Sequence, residues 1–135
     1  QRIALCQNLI THPKMLVSDL ETFCDTTNSY QTVKRIKTEF PTSEFIWISG
    51  MDNALNLHRW HHWQELLQEI SFFHITRPPA DSLVQSCPLR LLKRQTHKII
   101  TKSARYDLSP GITYWMMNRK MNHSSSTSLR QRSKG

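Results

Sequence analysis

A chain of 135 residues is long enough for one compact domain and short for two. Its 38% hydrophobic content, with four Trp, five Phe and three Tyr, supplies a core and excludes wholesale disorder. The formal charge of +8 favours anionic partners such as phosphates, nucleic acid or acidic lipid, and it equally fits a solvated basic face.

From the N-terminus, Ile3, Leu5, Cys6, Leu9 and Ile10 are spaced as one helix face over Arg2 to Thr11, stopped by Pro13. Met15 to Val17 reads as a short buried strand. After a polar stretch from Glu21 to Asn28, Ser29 is a candidate N-cap for a helix carrying Val33, Ile36 and Phe40 on one face, which ends at Pro41. Glu44 to Ser49 (EFIWIS) is dense in β-branched and aromatic residues between Pro41 and Gly50, as in a central strand.

Trp60, Trp63, Leu66, Leu67 and Ile70 then recur at helical spacing, and Phe72 to Thr76 (FFHIT) is a further strand closed by Arg77-Pro78-Pro79. Strand starts near 15, 45 and 72 are separated by roughly 30 residues, the length of a βαβ unit, so a parallel α/β sheet with right-handed crossovers is expected. Beyond Ala80, strands are expected at Lys98 to Thr101 and Ile112 to Met116, before a polar SSSTSLRQRSKG stretch. Most of the basic residues fall after Leu89.

Three separated cysteines, Cys6, Cys24 and Cys87, without a C-x-x-C pair suit free thiols in a reducing compartment, and the cytoplasm is the expected setting. No stretch approaches the ~20 apolar residues that span a bilayer. His58, His61 and His62 share a helical face, but no further ligand is spaced to complete a zinc site, so no metal site is expected there.

In open parallel sheets, ligands lie outside the carboxyl ends of the strands. Ser49-Gly50-Met51-Asp52 follows directly on EFIWIS: a glycine permits close approach, and a carboxylate just beyond can hold ribose hydroxyls. The G-x-D part, Gly50 to Asp52, equally suits a turn glycine followed by a helix-capping Asp.

The longer run G-M-D-N-A-L-N-L-H-R-W (Gly50 to Trp60) resembles the G-x-D-x-L-x-x-x-x-x-W segment of bacterial nicotinate-nucleotide adenylyltransferases. V-S-D-L-E (Val17 to Glu21) and N-S-Y-Q-T (Asn28 to Thr32) resemble that family's V-S-D-x-E and S-Y-T stretches. T-R-P-P (Thr76 to Pro79) resembles its R-P-G, and S-S-S-T-S-L-R (Ser124 to Arg130) its I-S-S-T-x-I-R, with Ser124 in place of an apolar residue. The matches run in order along nearly the whole chain.

The resemblance implies a Rossmann-like doubly wound α/β/α sheet and an enzyme of NAD biosynthesis that joins ATP and nicotinate mononucleotide to give deamido-NAD and pyrophosphate, with Mg2+ accompanying ATP. It implies that Trp60 stacks on the nicotinate ring with Tyr30 nearby, and that backbone N–H groups around Thr32 and His61 receive the carboxylate. Gly50 and Asp52 would accommodate the nucleotide and its ribose. Ser126 and Thr127 would cradle ATP phosphates at a helix start, with Arg77 assisting, and Arg130 would be catalytic, neutralising charge on the reacting phosphorus and leaving pyrophosphate.

The family's G-x-F-x-P-x-H-x-G-H segment is absent from these residues. Residues 1–135 are therefore expected to be part of one nucleotidylyltransferase domain, its first strand and C-terminal helix lying outside, and to be inactive alone. ATP and nicotinate mononucleotide are the expected partners, with neither nucleic acid nor membrane, and assembly into an oligomer is compatible with the sequence. The alternatives are a non-enzymatic nucleic-acid binder built on the basic segment and a pantetheine-phosphate adenylyltransferase; Trp60 and Tyr30 lie within motif matches and are not interleaved with the basic run, against the first.

Overall fold

The computed structural model describes residues 2–76, 84–100 and 103–117. Helix α1 (Arg2–Leu9) forms as the spacing predicts but buries none of its residues, with Leu5 and Leu9 exposed. The strand expected at Met15 to Val17 does not form: Met15 and Leu16 are exposed, and these residues have no strand assignment. Strand conformation needs a ladder partner for its backbone groups, and three apolar residues do not themselves supply one. A single helical turn, α2 (Leu20–Phe23), occupies part of the expected polar stretch, with Thr22 Oγ1 donating to Asp19 Oδ1 at 2.7 Å.

Helix α3 (Ser29–Glu39) starts one residue earlier than its expected cap implies, because Asn28, not Ser29, is the N-cap. Its Oδ1 accepts the Tyr30 N–H at 3.0 Å, satisfying one of the donors that every helix start leaves without an intrahelical acceptor. Val33 is buried on the inner face, and the helix stops at Phe40, before Pro41.

Strand β1 (Ile46–Gly50) runs directly into α4 (Met51–Asn56), a 3-10 turn (Leu57–Arg59) and then α5 (Trp63–Glu69). The helical spacing from Trp60 onward is thus realised from Trp63, after His62 takes a left-handed conformation (φ 51°, ψ 39°) that breaks the path. Leu66 and Leu67 of α5 are wholly buried; each stabilises the fold by roughly 1.5–3 kcal/mol. Lys37 ties α3 to the end of α5, its Nζ donating to the Glu69 carbonyl at 2.9 Å and to Oε2 at 2.8 Å.

Strands β2 (Ser71–Ile75), β3 (Thr96–Ile100) and β4 (Ile112–Met116) complete a four-stranded sheet in the order β1-β2-β4-β3, with every pair parallel. This is the parallel, Rossmann-like α/β architecture that the sequence predicts, with its strands starting at 46, 71, 96 and 112. Alternation along the strands separates two cores. Phe72 and Trp115 face the cluster formed with Met51, Leu57, Leu66 and Leu67 from the helices, while Ile100, Ile112 and Tyr114 form a smaller cluster with Ile46 and Phe73.

Candidate functional site

The carboxyl end of β1 is the first part of the site. Gly50 has φ −81°, an ordinary value for any residue, and a Cβ placed on it would meet nothing within 4 Å. What the glycine provides is open space beside the strand end, not a special backbone angle. Asp52 follows in the first turn of α4 with its side chain exposed, where a carboxylate is well placed against the helix dipole.

The second part lies where the start of α3 meets the segment after the 3-10 turn. A cavity of about 510 Å3 is lined by Thr27, Asn28, Ser29, Trp60 and His61, none of them acidic. Trp60 is half-buried; its N–H donates to the Leu57 carbonyl at 2.9 Å, and its ring stands edge-on against Trp47, 5.8 Å between centroids at 76°. Those contacts hold one aromatic wall of the cavity in place.

The rest of the lining is set largely by backbone. Thr26 Oγ1 accepts the Asn28 N–H at 3.0 Å, and Asn28 in turn caps α3. Ser29, at the first helical position, has an N–H for which the helix contains no carbonyl. A helix start presents partial positive charge, so this part of the lining favours a carboxylate or phosphate over a cation.

Tyr30 packs 5.2 Å from the His62 ring, with Lys34 Nζ 5.5 Å from its own centroid, beside the cavity lining. Thr32 does not line the cavity. It is buried, and both its N–H (3.0 Å) and its hydroxyl (3.2 Å) donate to the Asn28 carbonyl, so its own donors are engaged inside the helix. The residues that do face the cavity from this helix, Asn28 and Ser29, lie at the start of the same N-S-Y-Q-T run. Thr27, Asn28, Ser29 and Trp47 were not singled out as site residues; an Asn four residues before the first buried helical position, Thr32, was the available signal.

Beneath the strand ends lies a buried polar row that the apolar look of FFHIT conceals. His74 is fully buried, and its Nδ1 lies 2.9 Å from Ser49 Oγ. Burial, reinforced by the nearby His97, pushes its pKa from 6.5 to about 4, so the ring is neutral at physiological pH. His97 is also lowered, by burial first and by the Arg90 charge second. Trp115 Nε1 donates to His97 Nδ1 at 3.1 Å; since an indole nitrogen only donates, the proton of neutral His97 sits on Nε2.

Arg77, Ser126, Thr127 and Arg130 lie outside the described residues. Among the described residues no three His, Cys, Asp or Glu side chains converge as metal ligands, His58, His61 and His62 included. No helix among them is long and apolar enough to cross a membrane.

The profile of the cytidylyltransferase-like family matches residues 1–132. The chain belongs to the cytidylyltransferase-like family. Similar curated proteins include a "Probable nicotinate-nucleotide adenylyltransferase" of Ruegeria sp. (strain TM1040), 25% identical over 133 residues, a stretch covering 98% of this chain and 70% of that relative. Two others of the same name come from Cereibacter sphaeroides (strain ATCC 17025 / ATH 2.4.3), 29% identical over 64% of this chain and 47% of the relative, and Agrobacterium fabrum (strain C58 / ATCC 33970), 34% identical over 57% and 41%. The matched stretches therefore span between two fifths and seven tenths of the length of these relatives.

Proposed function

We propose that this chain forms the nucleotide-handling part of a nicotinate-nucleotide adenylyltransferase in NAD biosynthesis. The observation that carries this reading is one cavity lined both by Trp60 and by the capped start of α3. A flat, electron-poor nicotinate ring stacks favourably on indole, and its fixed carboxylate is received by preorganised N–H donors at the helix start and by His61. The relatives' name points to the same substrate.

In the reaction, a phosphate oxygen of nicotinate mononucleotide attacks the α-phosphorus of ATP in line. A new P–O bond forms as the bond from that phosphorus to the β-phosphate's bridging oxygen breaks, and the electron pair leaves with pyrophosphate. Such chemistry asks chiefly for positioning and charge stabilisation. Trp60, Tyr30 and the α3 start orient the mononucleotide; Gly50 leaves room for the adenylate nucleotide, and Asp52 accepts from ribose hydroxyls.

By the resemblance, Arg77, Ser126, Thr127 and Arg130 serve the ATP phosphates, with Arg130 stabilising the transition state. Magnesium enters as part of the ATP substrate. The three free thiols, one of them exposed, support a cytoplasmic setting.

The test is thermal shift of the full chain with nicotinate mononucleotide, nicotinamide mononucleotide, ATP and single-stranded DNA. Stabilisation by nicotinate mononucleotide and ATP is expected; stabilisation by DNA alone would falsify the assignment.

A further inference from the structure

The turn that leaves β1 is braced from below by a side chain on the neighbouring strand. Ser49 and His74 are direct partners in the parallel β1–β2 register, and Ser49 Oγ meets His74 Nδ1 at 2.9 Å. His74 is itself immobilised: its ring lies 5.0 Å from that of Trp115 and 5.8 Å from that of Phe72, and it has no exposed surface. Trp115 is fixed in turn by its hydrogen bond to His97 on β3. A chain of four side chains thus runs across all four strands: Ser49, His74 and Trp115 lie level with one another near the carboxyl ends of β1, β2 and β4, and His97 near the amino end of β3 anchors Trp115.

Burying this row carries a cost. His74 Nε2 and His97 Nε2 are both buried with no hydrogen-bond partner among the described residues, each an arrangement that costs on the order of a kcal/mol or more. An apolar residue at position 74 would avoid that cost and fill the same space between Phe72 and Trp115. What it would not do is bond Ser49, whose next residue is Gly50 and from which the Gly50–Asp52 turn departs.

We propose that His74 is a positioning residue for nucleotide binding: through Ser49 it fixes the end of β1, and so the placement of Gly50 and Asp52. His74 is wholly buried, so it acts through Ser49. The proposal rests on the adenylyltransferase reading and deepens it, by assigning a determinant of site geometry to a side chain outside every motif that carries the resemblance.

The experiment compares Ser49→Ala, His74→Leu, His74→Asn and the Ser49→Ala/His74→Leu double variant in the full chain. Dissociation constants for ATP are read by calorimetry, with thermal unfolding of each variant alongside. Asn places a polar atom where His74 Nδ1 stands, so it retains the bond to Ser49; Leu does not. The expected result is ATP binding weakened roughly three- to tenfold in Ser49→Ala and in His74→Leu, about the worth of one hydrogen bond. His74→Asn should stay within about twofold of wild type, and the double variant should be no weaker than either single change, as for two halves of one interaction.

Ser49→Ala with unchanged ATP affinity overturns the proposal, whatever its melting temperature, since packing alone would then account for the row. Should His74→Leu not fold, Ser49→Ala against His74→Asn decides the matter by the same readout. A wild-type protein that binds neither ATP nor nicotinate mononucleotide overturns the adenylyltransferase reading and this inference together; a wild type that binds both, with an unaffected Ser49→Ala, overturns only the inference.

Discussion

Trp60 stands edge-on against Trp47, 5.8 Å between ring centroids, so a strand residue of β1 sets the orientation of the aromatic wall of the cavity. An edge-to-face indole pair adds about 0.5–1.5 kcal/mol beyond the area it buries. Replacing Trp60 by Ala therefore removes a stacking surface worth about 1–3 kcal/mol against a flat ring, and affinity for nicotinate mononucleotide should fall between roughly five- and a hundredfold. Trp60→Phe should recover much of that loss. Titration calorimetry of the two variants checks this; Trp60→Ala with wild-type affinity would remove the stacking role.

Asn28 links stability and binding. Its Oδ1 caps α3 through the Tyr30 N–H, and the residue itself lines the cavity. Asn28→Ala should lower stability by about 1 kcal/mol, whereas Asn28→Ser, which keeps a capping oxygen, should lower it by much less. Because the cap fixes the direction of the α3 start, the alanine variant should also bind nicotinate mononucleotide more weakly than the serine variant. Chemical denaturation followed by ligand titration measures both, and equal stability of the two variants would contradict the cap.

His74 sets an acid limit on folding. Its pKa is about 4 in the folded chain against an ordinary 6.5, so between those values the unfolded chain binds more protons and acid favours unfolding. The stability tied to its neutral form is fully present above about pH 6.5 and is lost as pH falls toward 4, on the order of 3 kcal/mol over that window. His97, lowered in the same direction, adds to the same slope. Urea unfolding from pH 7 to 4.5 should show this fall in wild type and a shallower one in His74→Asn; parallel curves would refute the assignment to His74.

The sheet was legible in the sequence because its strands carry dense β-branched and aromatic runs: EFIWIS, FFHIT and ITYWM each form strands within two residues of their expected bounds. The Gly50-to-Trp60 run reads as a site only through its resemblance to a family segment; of its residues the cavity is lined by Trp60, with His61 just beyond the run. What was hidden depended on partners distant in sequence. Met15 to Val17 has strand-like residues but no ladder to join, and Thr32 looks like a surface donor until the Asn28 carbonyl is seen to accept from both its N–H and its hydroxyl. His74 reads as one polar residue in an apolar strand, and only the β1–β2 register places it opposite Ser49.

The cavity also bears on how nicotinate is told from nicotinamide. Its five lining residues include no carboxylate, and Asn28 and Ser29 among them form the start of α3, where partial positive charge and N–H groups without intrahelical acceptors gather. A carboxylate gains from every such donor, while a primary amide offers one acceptor oxygen and brings an NH2 group that faces other donors with no lone pair to give. A site built of donors therefore rejects the amide by leaving polar groups mismatched, which is costlier than merely losing a contact. Nicotinate mononucleotide should bind at least about tenfold more tightly than nicotinamide mononucleotide, a difference of about 1.4 kcal/mol. Introducing a carboxylate by Ser29→Asp should weaken nicotinate binding and narrow the ratio, even though Asp at a helix start is favourable for the helix itself. Competition titrations of both mononucleotides against wild type and Ser29→Asp decide it: equal affinities in wild type, or a ratio unmoved by the aspartate, would separate the α3 start from acid recognition.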